Sequence, residues 1–147
     1  MLIDKAEILG LIPHQGTMCL LDGVIAWDDQ SIVCTSSTHR DPDNPLRCQN
    51  SLAALHAVEY GAQATAIHGG LRARQAGQQA PSAFLAALKE IRLFTDALDT
   101  IEAPLTIEAT RLAGDIAHFI YRFRVSAAGQ LLAEGRVTVI TRPESLE

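Results

Sequence analysis

The chain has 147 residues, 48% hydrophobic and 20% charged, which suits one domain around one core. Its formal net charge of −5 argues against a general nucleic-acid binder, and no apolar run is long enough to span a bilayer. Cys19, Cys34 and Cys48 are odd in number and lack metal-ligand spacing, and the start, with Asp4 and Glu7, is unlike a signal peptide; a reducing cytoplasm is the expected location.

In chain order, Asp4 is placed to cap a short helix over Lys5 to Leu9 that stops near Gly10. Residues 12–17 form an irregular loop containing Pro13 and His14. Met18 to Trp27 and Ser31 to Thr38 read as two strands joined by the turn Asp28-Asp29-Gln30; the second strand is rich in β-branched residues. The prolines and aspartates of residues 40–45 defeat both helix and sheet. A long helix is then predicted from a cap at Asn50 or Ser51 to a stop at Gly69-Gly70. Its interior is crowded with Ala, which suits a helix approached closely by other backbone. His56, Glu59 and Gln63 share one face of it, and a carboxylate in so apolar a helix is expected to be buried and costly unless paired. Arg72 to Pro81 reads as a polar, mobile connection.

The second half reads as antiparallel sheet. Ser82 to Phe94 alternates only roughly. Leu105, Ile107 and Ala109 alternate with polar neighbours, and Phe119, Tyr121, Phe123 and Val125 alternate with His118, Ile120, Arg122 and Arg124. Ala128-Gly129 marks a hairpin turn, Leu131 to Thr141 returns, and the tail from Arg142 is expected to fray. One helix covers six strands only if the sheet curls round it. The expected fold class is therefore α+β, a single hotdog domain over residues 1–147 with an antiparallel β-sheet wrapped around a long central helix.

The sequence also resembles a known family. Leu11-Ile12-Pro13-His14 with Leu20-Leu21-Asp22-Gly23-Val24 is similar to the opening "LPH…LLVDRV" of the FabZ-type 3-hydroxyacyl-[acyl carrier protein] dehydratases. Glu59 with Gln63 resembles that family's "E-x-M-A-Q", and residues 84–94 resemble the strand that follows it. Glu59 to Ala64 and Asp43 to Arg47 look more like a divergent branch of predicted hotdog dehydratases associated with aryl-polyene pigment synthesis. One departure stands out. Where FabZ-type enzymes carry "GHFPxxPxxPGV", with its catalytic histidine, this chain has the shorter Arg47-Cys48-Gln49-Asn50-Ser51-Leu52-Ala53-Ala54.

The resemblance implies dehydration of 3-hydroxyacyl thioesters held on an acyl carrier protein by its pantetheine arm, in fatty-acid-like or polyketide-like synthesis. It also implies a homodimer, or a heterodimer with another hotdog protein. Such chemistry needs a base for the α-proton, donors for the enolate-like oxygen, and an acid for the departing hydroxyl. Glu59 is the expected catalytic carboxylate; the alternative is a structural carboxylate bonded to a loop. His56, one turn earlier, and His39, before the helix, are the candidates to replace the missing histidine, unless His56 merely satisfies Glu59 and His39 anchors its loop. Gln63 either holds Glu59 or the thioester, or satisfies backbone. Arg40, Arg47, Arg72 and Arg74 either dock an acidic carrier protein, with Arg47 the first choice, or form a solvated surface. His14 and His68 read as structural, His68 meeting the negative end of the helix dipole. His118 is expected to face solvent, and Cys48, at the helix entry where a thiolate is favoured, reads as a small buried thiol because no base is paired with it.

No metal and no nucleotide cofactor is implied, since there is no ligand cluster or Gly-rich phosphate loop. Two rivals remain open: a catalytically weak hotdog subunit that pairs with an active dehydratase, and an acyl-thioesterase that activates water with the helix carboxylate.

Overall fold

Strict alternation in the second half builds the centre of the molecule. The computed structural model describes residues 2–13, 15–78, 83–115 and 117–141. Strands β1 (Ile3–Asp4), β2 (Gly23–Trp27), β3 (Ser31–Ser36), β4 (Ala83–Leu93), β5 (Leu105–Gly114), β6 (His118–Ala127) and β7 (Gln130–Thr141) form one antiparallel sheet in the order β1-β2-β3-β5-β6-β7-β4. Helix α1 (Lys5–Leu9) follows β1, and α2 (Ala57–Gln75) lies between β3 and β4. The long helix packs mainly against the inner faces of β5 and β6. Seven strands around one helix is the expected hotdog arrangement.

Burial follows the pleat. Tyr121, Phe123 and Val125 point at the helix, and Arg122 and Arg124 point away. Ala128 and Gly129 take φ of 51° and 77°, the left-handed pair that a two-residue hairpin between β6 and β7 requires. The small residues of α2 permit close approach: a methyl group on Gly61 would lie 2.5 Å from Phe123 Cγ. Asp4 caps α1 as predicted, its Oδ1 accepting from the Glu7 N–H at 3.0 Å.

The ends of the long helix depart from expectation. Asn50 and Ser51 do not cap it. Cys48 and Ser51 exchange two backbone hydrogen bonds, at 2.9 and 3.0 Å, around Gln49 and Asn50 with φ of 54° and 64°. The chain then runs beside residues 96–98, with the Ala54 N–H donating to Asp96 O and the Leu98 N–H to Leu52 O. The helix begins only after a 3-10 turn at Ala54–His56, with no side-chain cap. At the other end Gly69 and Gly70 remain helical. Gly70 is small because a Cβ there would lie 3.2 Å from Leu11 O. The helix consumes Arg72 to Gln75 of the predicted connection and stops at Gly77, where φ is 71°.

Smaller corrections follow the same pattern. Gly16–Met18 is a 3-10 turn, so the predicted strand from Met18 begins at Gly23. Thr38 leaves the sheet for a 3-10 turn over Thr38–Arg40, and β1 is an additional short strand. His14, residues 79–82 of the predicted connection and the tail from Arg142 lie outside the described residues.

Candidate active site

The start of α2 is tied to two loops by a buried polar network. Gln63, 2% exposed, accepts the Leu20 N–H on Oε1 at 2.8 Å and donates from Nε2 to Met18 O at 2.6 Å. Leu20 O in turn accepts from Ser36 Oγ at 2.5 Å and Thr38 Oγ1 at 2.7 Å. With its proton committed there, Thr38 Oγ1 accepts from the Tyr60 phenol at 2.8 Å, and that phenol accepts from Asn44 Nδ2 at 3.1 Å. Each hydroxyl thus has a donor and an acceptor role, so the network is satisfied. Burial pushes the Tyr60 pKa up.

Glu59, next to Tyr60, is exposed, contrary to the expected burial. It lies in the first turn of α2, where the helix dipole favours an anion. Among the described residues it makes no hydrogen bond or ion pair. His56 occupies the position before the helix and is half-buried. The face shared by His56, Glu59 and Gln63 therefore runs from solvent into the core, and only Gln63 is anchored by protein.

His39 is fully buried. One ring nitrogen, Nε2, lies 2.8 Å from Ile101 O, so Nε2 carries the proton and donates, which leaves Nδ1 as the bare lone pair. Nδ1 is buried without a hydrogen-bond partner among the described residues. Burial pulls the His39 pKa down, so the ring is neutral at neutral pH.

Arg47, the predicted docking residue, instead faces Asp99 at 3.9 Å. That carboxylate also accepts the Leu52 N–H at 2.9 Å and Ser51 Oγ at 3.3 Å. The Leu52 N–H, more than Arg47, holds the Asp99 pKa below its usual value. Asp99 O accepts from Arg40 Nη1 at 3.2 Å. Arg72 pairs with Asp29 at 3.1 Å and Arg74 with Glu7 at 3.7 Å, so all four expected docking cations have partners within the chain.

His68 is structural, but not at a helix end. It lies buried inside α2 between Tyr121 OH at 2.6 Å and Asp28 O at 2.7 Å. Cys48 is exposed, because the 48–51 turn lifts it off the core; Cys19 and Cys34 are the buried thiols. His118 is exposed as expected. Among the described residues no three His, Cys, Asp or Glu side chains gather as a metal ion needs, and no helix is long and apolar enough to cross a membrane. Sequence reading missed Tyr60, Thr38 and Asn44 as a connected group. Only the Asn44-Pro45 turn signal pointed to any of them.

Residues 6–147 match the profile of the ApeP-like family, described as ApeP dehydratase. The chain belongs to this family of dehydratases. Among solved structures it is similar to the dehydratase heterocomplex ApeI:P of Xenorhabdus doucetiae, at 24% identity over 93% of this chain and 91% of that one, with a TM-score of 0.84. It also resembles a hypothetical thioesterase protein of Streptococcus pneumoniae solved with coenzyme A, at 10% identity over 82% and 85% of the chains and a TM-score of 0.60. The PaaI protein of the phenylacetic acid degradation operon of E. coli is similar at 16% identity over 80% of each chain, with a TM-score of 0.58. At these identities the structural likeness establishes the hotdog fold. No protein of curated function matches the chain in sequence.

Proposed function

We propose that this chain dehydrates 3-hydroxyacyl thioesters carried on an acyl carrier protein, in aryl-polyene-type synthesis, together with a second hotdog chain. The observation that carries the reading is the Glu59 carboxylate, exposed and, among the described residues, unpaired at the first turn of α2 in a member of a dehydratase family. Glu59 in its acid form donates its proton to the β-hydroxyl, which leaves as water. A histidine takes the α-proton, and the electron pair of that C–H bond forms the new double bond as the C–O bond breaks. His56 shares solvent access with Glu59. His39 has the bare nitrogen of a general base, and reaches substrate only if its enclosure opens. Gln63 acts from behind, fixing residues 18–20 against the helix that carries Glu59.

The second chain is supported by β4. Among the described residues this edge strand pairs with β7 on one side, and it exposes Leu85, Leu88 and Leu93 at 43–44% each. A long apolar edge strand invites pairing. The name of the similar ApeI:P heterocomplex makes a different hotdog chain the expected partner.

A second reading is a subunit that completes another chain's active site without reacting itself. It is favoured by Glu59 having no bonded histidine among the described residues. The decisive experiment follows water loss and thioester cleavage by mass on a 3-hydroxyacyl carrier protein. Wild type and Glu59→Gln are each assayed alone and with an active hotdog dehydratase. Dehydration by wild type, alone or in the mixture, that is lost in Glu59→Gln supports the enzyme. Dehydration only in the mixture, unaffected by Glu59→Gln, supports the subunit. Thioester cleavage without water loss would mean a thioesterase.

A further inference from the structure

The outer face of the sheet carries a charge pattern that this site does not use. The chain is acidic overall, at −5, yet five of its twelve Lys and Arg residues, Lys89, Arg92, Arg122, Arg124 and Arg136, stand on the adjoining strands β4, β7 and β6. Only Glu90 and Glu134 of its seventeen acids stand there with them. Arg122, Arg124, Glu134 and Arg136 face away from α2, because they alternate with buried Tyr121, Phe123, Gly135 and Val137, and Lys89 and Arg92 stand in register with Arg136 and Glu134.

Two cross-strand rows result. In one, Glu134 separates Arg92 from Arg124 and reaches them at 4.0 and 3.5 Å. In the other, Lys89, Arg136 and Arg122 are successive register partners with no acid between them. Glu90 reaches Arg136 from the side at 3.7 Å. Arg122 has no ion pair among the described residues, and Arg136 Nε is buried without a hydrogen-bond partner. Like charges directly opposite across strands destabilise a sheet, so this row is unfavourable until an anion meets it. Between the rows lies a cleft of about 260 Å³, lined by Glu90, Arg92, Arg122, Glu134, Gly135 and Arg136.

We propose that this face docks an acidic protein surface, with Arg122 and Arg136 taking carboxylates from one exposed helix of the partner. The spacing fits. Neighbouring strands lie roughly 4.8 Å apart, and the Cβ atoms of acidic residues at i and i+4 on a helix lie roughly 5–6 Å apart. A row of three cations therefore meets a row of helix carboxylates nearly one to one. The cations expected to dock a partner, Arg40, Arg47, Arg72 and Arg74, all have partners in this chain, whereas Arg122 has none among the described residues. The partner is the acidic carrier of the acyl thioester, and in this the inference rests on the function proposed above.

The test is fluorescence anisotropy of labelled acyl carrier protein titrated with the whole chain at low and high salt. The proteins compared are wild type, Arg122→Glu, Arg122→Lys and Arg74→Glu, each checked for folding by circular dichroism. Docking here predicts about a tenfold loss of affinity for Arg122→Glu. It also predicts near-wild-type binding for Arg122→Lys and Arg74→Glu, and weaker wild-type binding at high salt. Unchanged binding by Arg122→Glu overturns it, as does loss of binding in Arg74→Glu or displacement of the carrier by inorganic phosphate at constant ionic strength. Binding is measured without turnover, so the two proposals fail separately. A chain that binds the carrier through Arg122 but dehydrates nothing keeps the docking face and loses the enzyme reading. A chain that dehydrates a free pantetheine thioester while Arg122→Glu still binds the carrier loses only the docking face.

Discussion

The Tyr60 phenol stands 2.8 Å from the Thr38 hydroxyl, and this bond ties the residue after Glu59 to the residue before His39. Two candidate catalytic side chains that are twenty positions apart in sequence thus share one buried anchor, although one faces solvent and the other the core. Removing the phenol oxygen leaves Asn44 Nδ2 with Thr38 O alone. Tyr60→Phe is expected to cost about 1–3 kcal/mol, read as a lower urea midpoint, and to lower turnover by loosening the start of α2.

Glu59→Gln separates chemistry from folding. Its carboxylate is exposed and unpaired among the described residues, so the change is expected to shift stability by less than about 0.5 kcal/mol. Dehydration, in contrast, is expected to fall below detection. An unfolding curve and a turnover assay on one preparation check both.

Gly61→Ala tests the close approach of helix and sheet. The added methyl would meet Phe123 Cγ at 2.5 Å, so overpacking is expected to cost about 1–3 kcal/mol. The double variant with Phe123→Leu should recover part of this loss in thermal melts. Equal melting of the single and double variants would mean that the ring is not what Gly61 accommodates.

Stability should fall on the acid side. Burial, the largest cause for each, lowers the pKa of His39 and His68 from the ordinary 6.5. The unfolded chain therefore binds protons first as pH drops through about 6.5. Stability is complete above that value and declines until the folded-state pKa values are passed. Urea midpoints between pH 8 and pH 5 should trace this fall, and His68→Gln should flatten it.

The sequence made the sheet legible wherever one face is wet. The alternation from His118 to Val125 gave β6 its inward and outward residues, and Ala128-Gly129 gave its turn. It misplaced the helix ends because glycine was taken for a stop, whereas Gly70 is small to admit Leu11. Asn50 looked like a cap, but its left-handed backbone forms a turn instead. Within the site, Gln63 was recognisable as a polar residue on the helix. Its partners at residues 18 and 20, forty-odd positions away, leave no local signature. The burial of His39 and the exposure of Glu59 depend on packing between distant loops, which periodicity does not encode.

Strand β4 departs from regular pairing with β7 twice, between Leu85 and Ala87 and again between Lys89 and Arg92, where Glu90 has φ of 56°. Each irregularity sets one extra residue in β4 against its neighbour and sharpens the local twist. The apolar edge is thereby divided into short lengths, each with its own direction. An arbitrary extended chain can join one of these lengths but cannot zip along all of them. A partner strand that bends at the same places can, so under the pairing proposed above the edge would discriminate by shape before any side chain is compared. In a cell holding several hotdog chains, that would sort intended pairs from accidental ones.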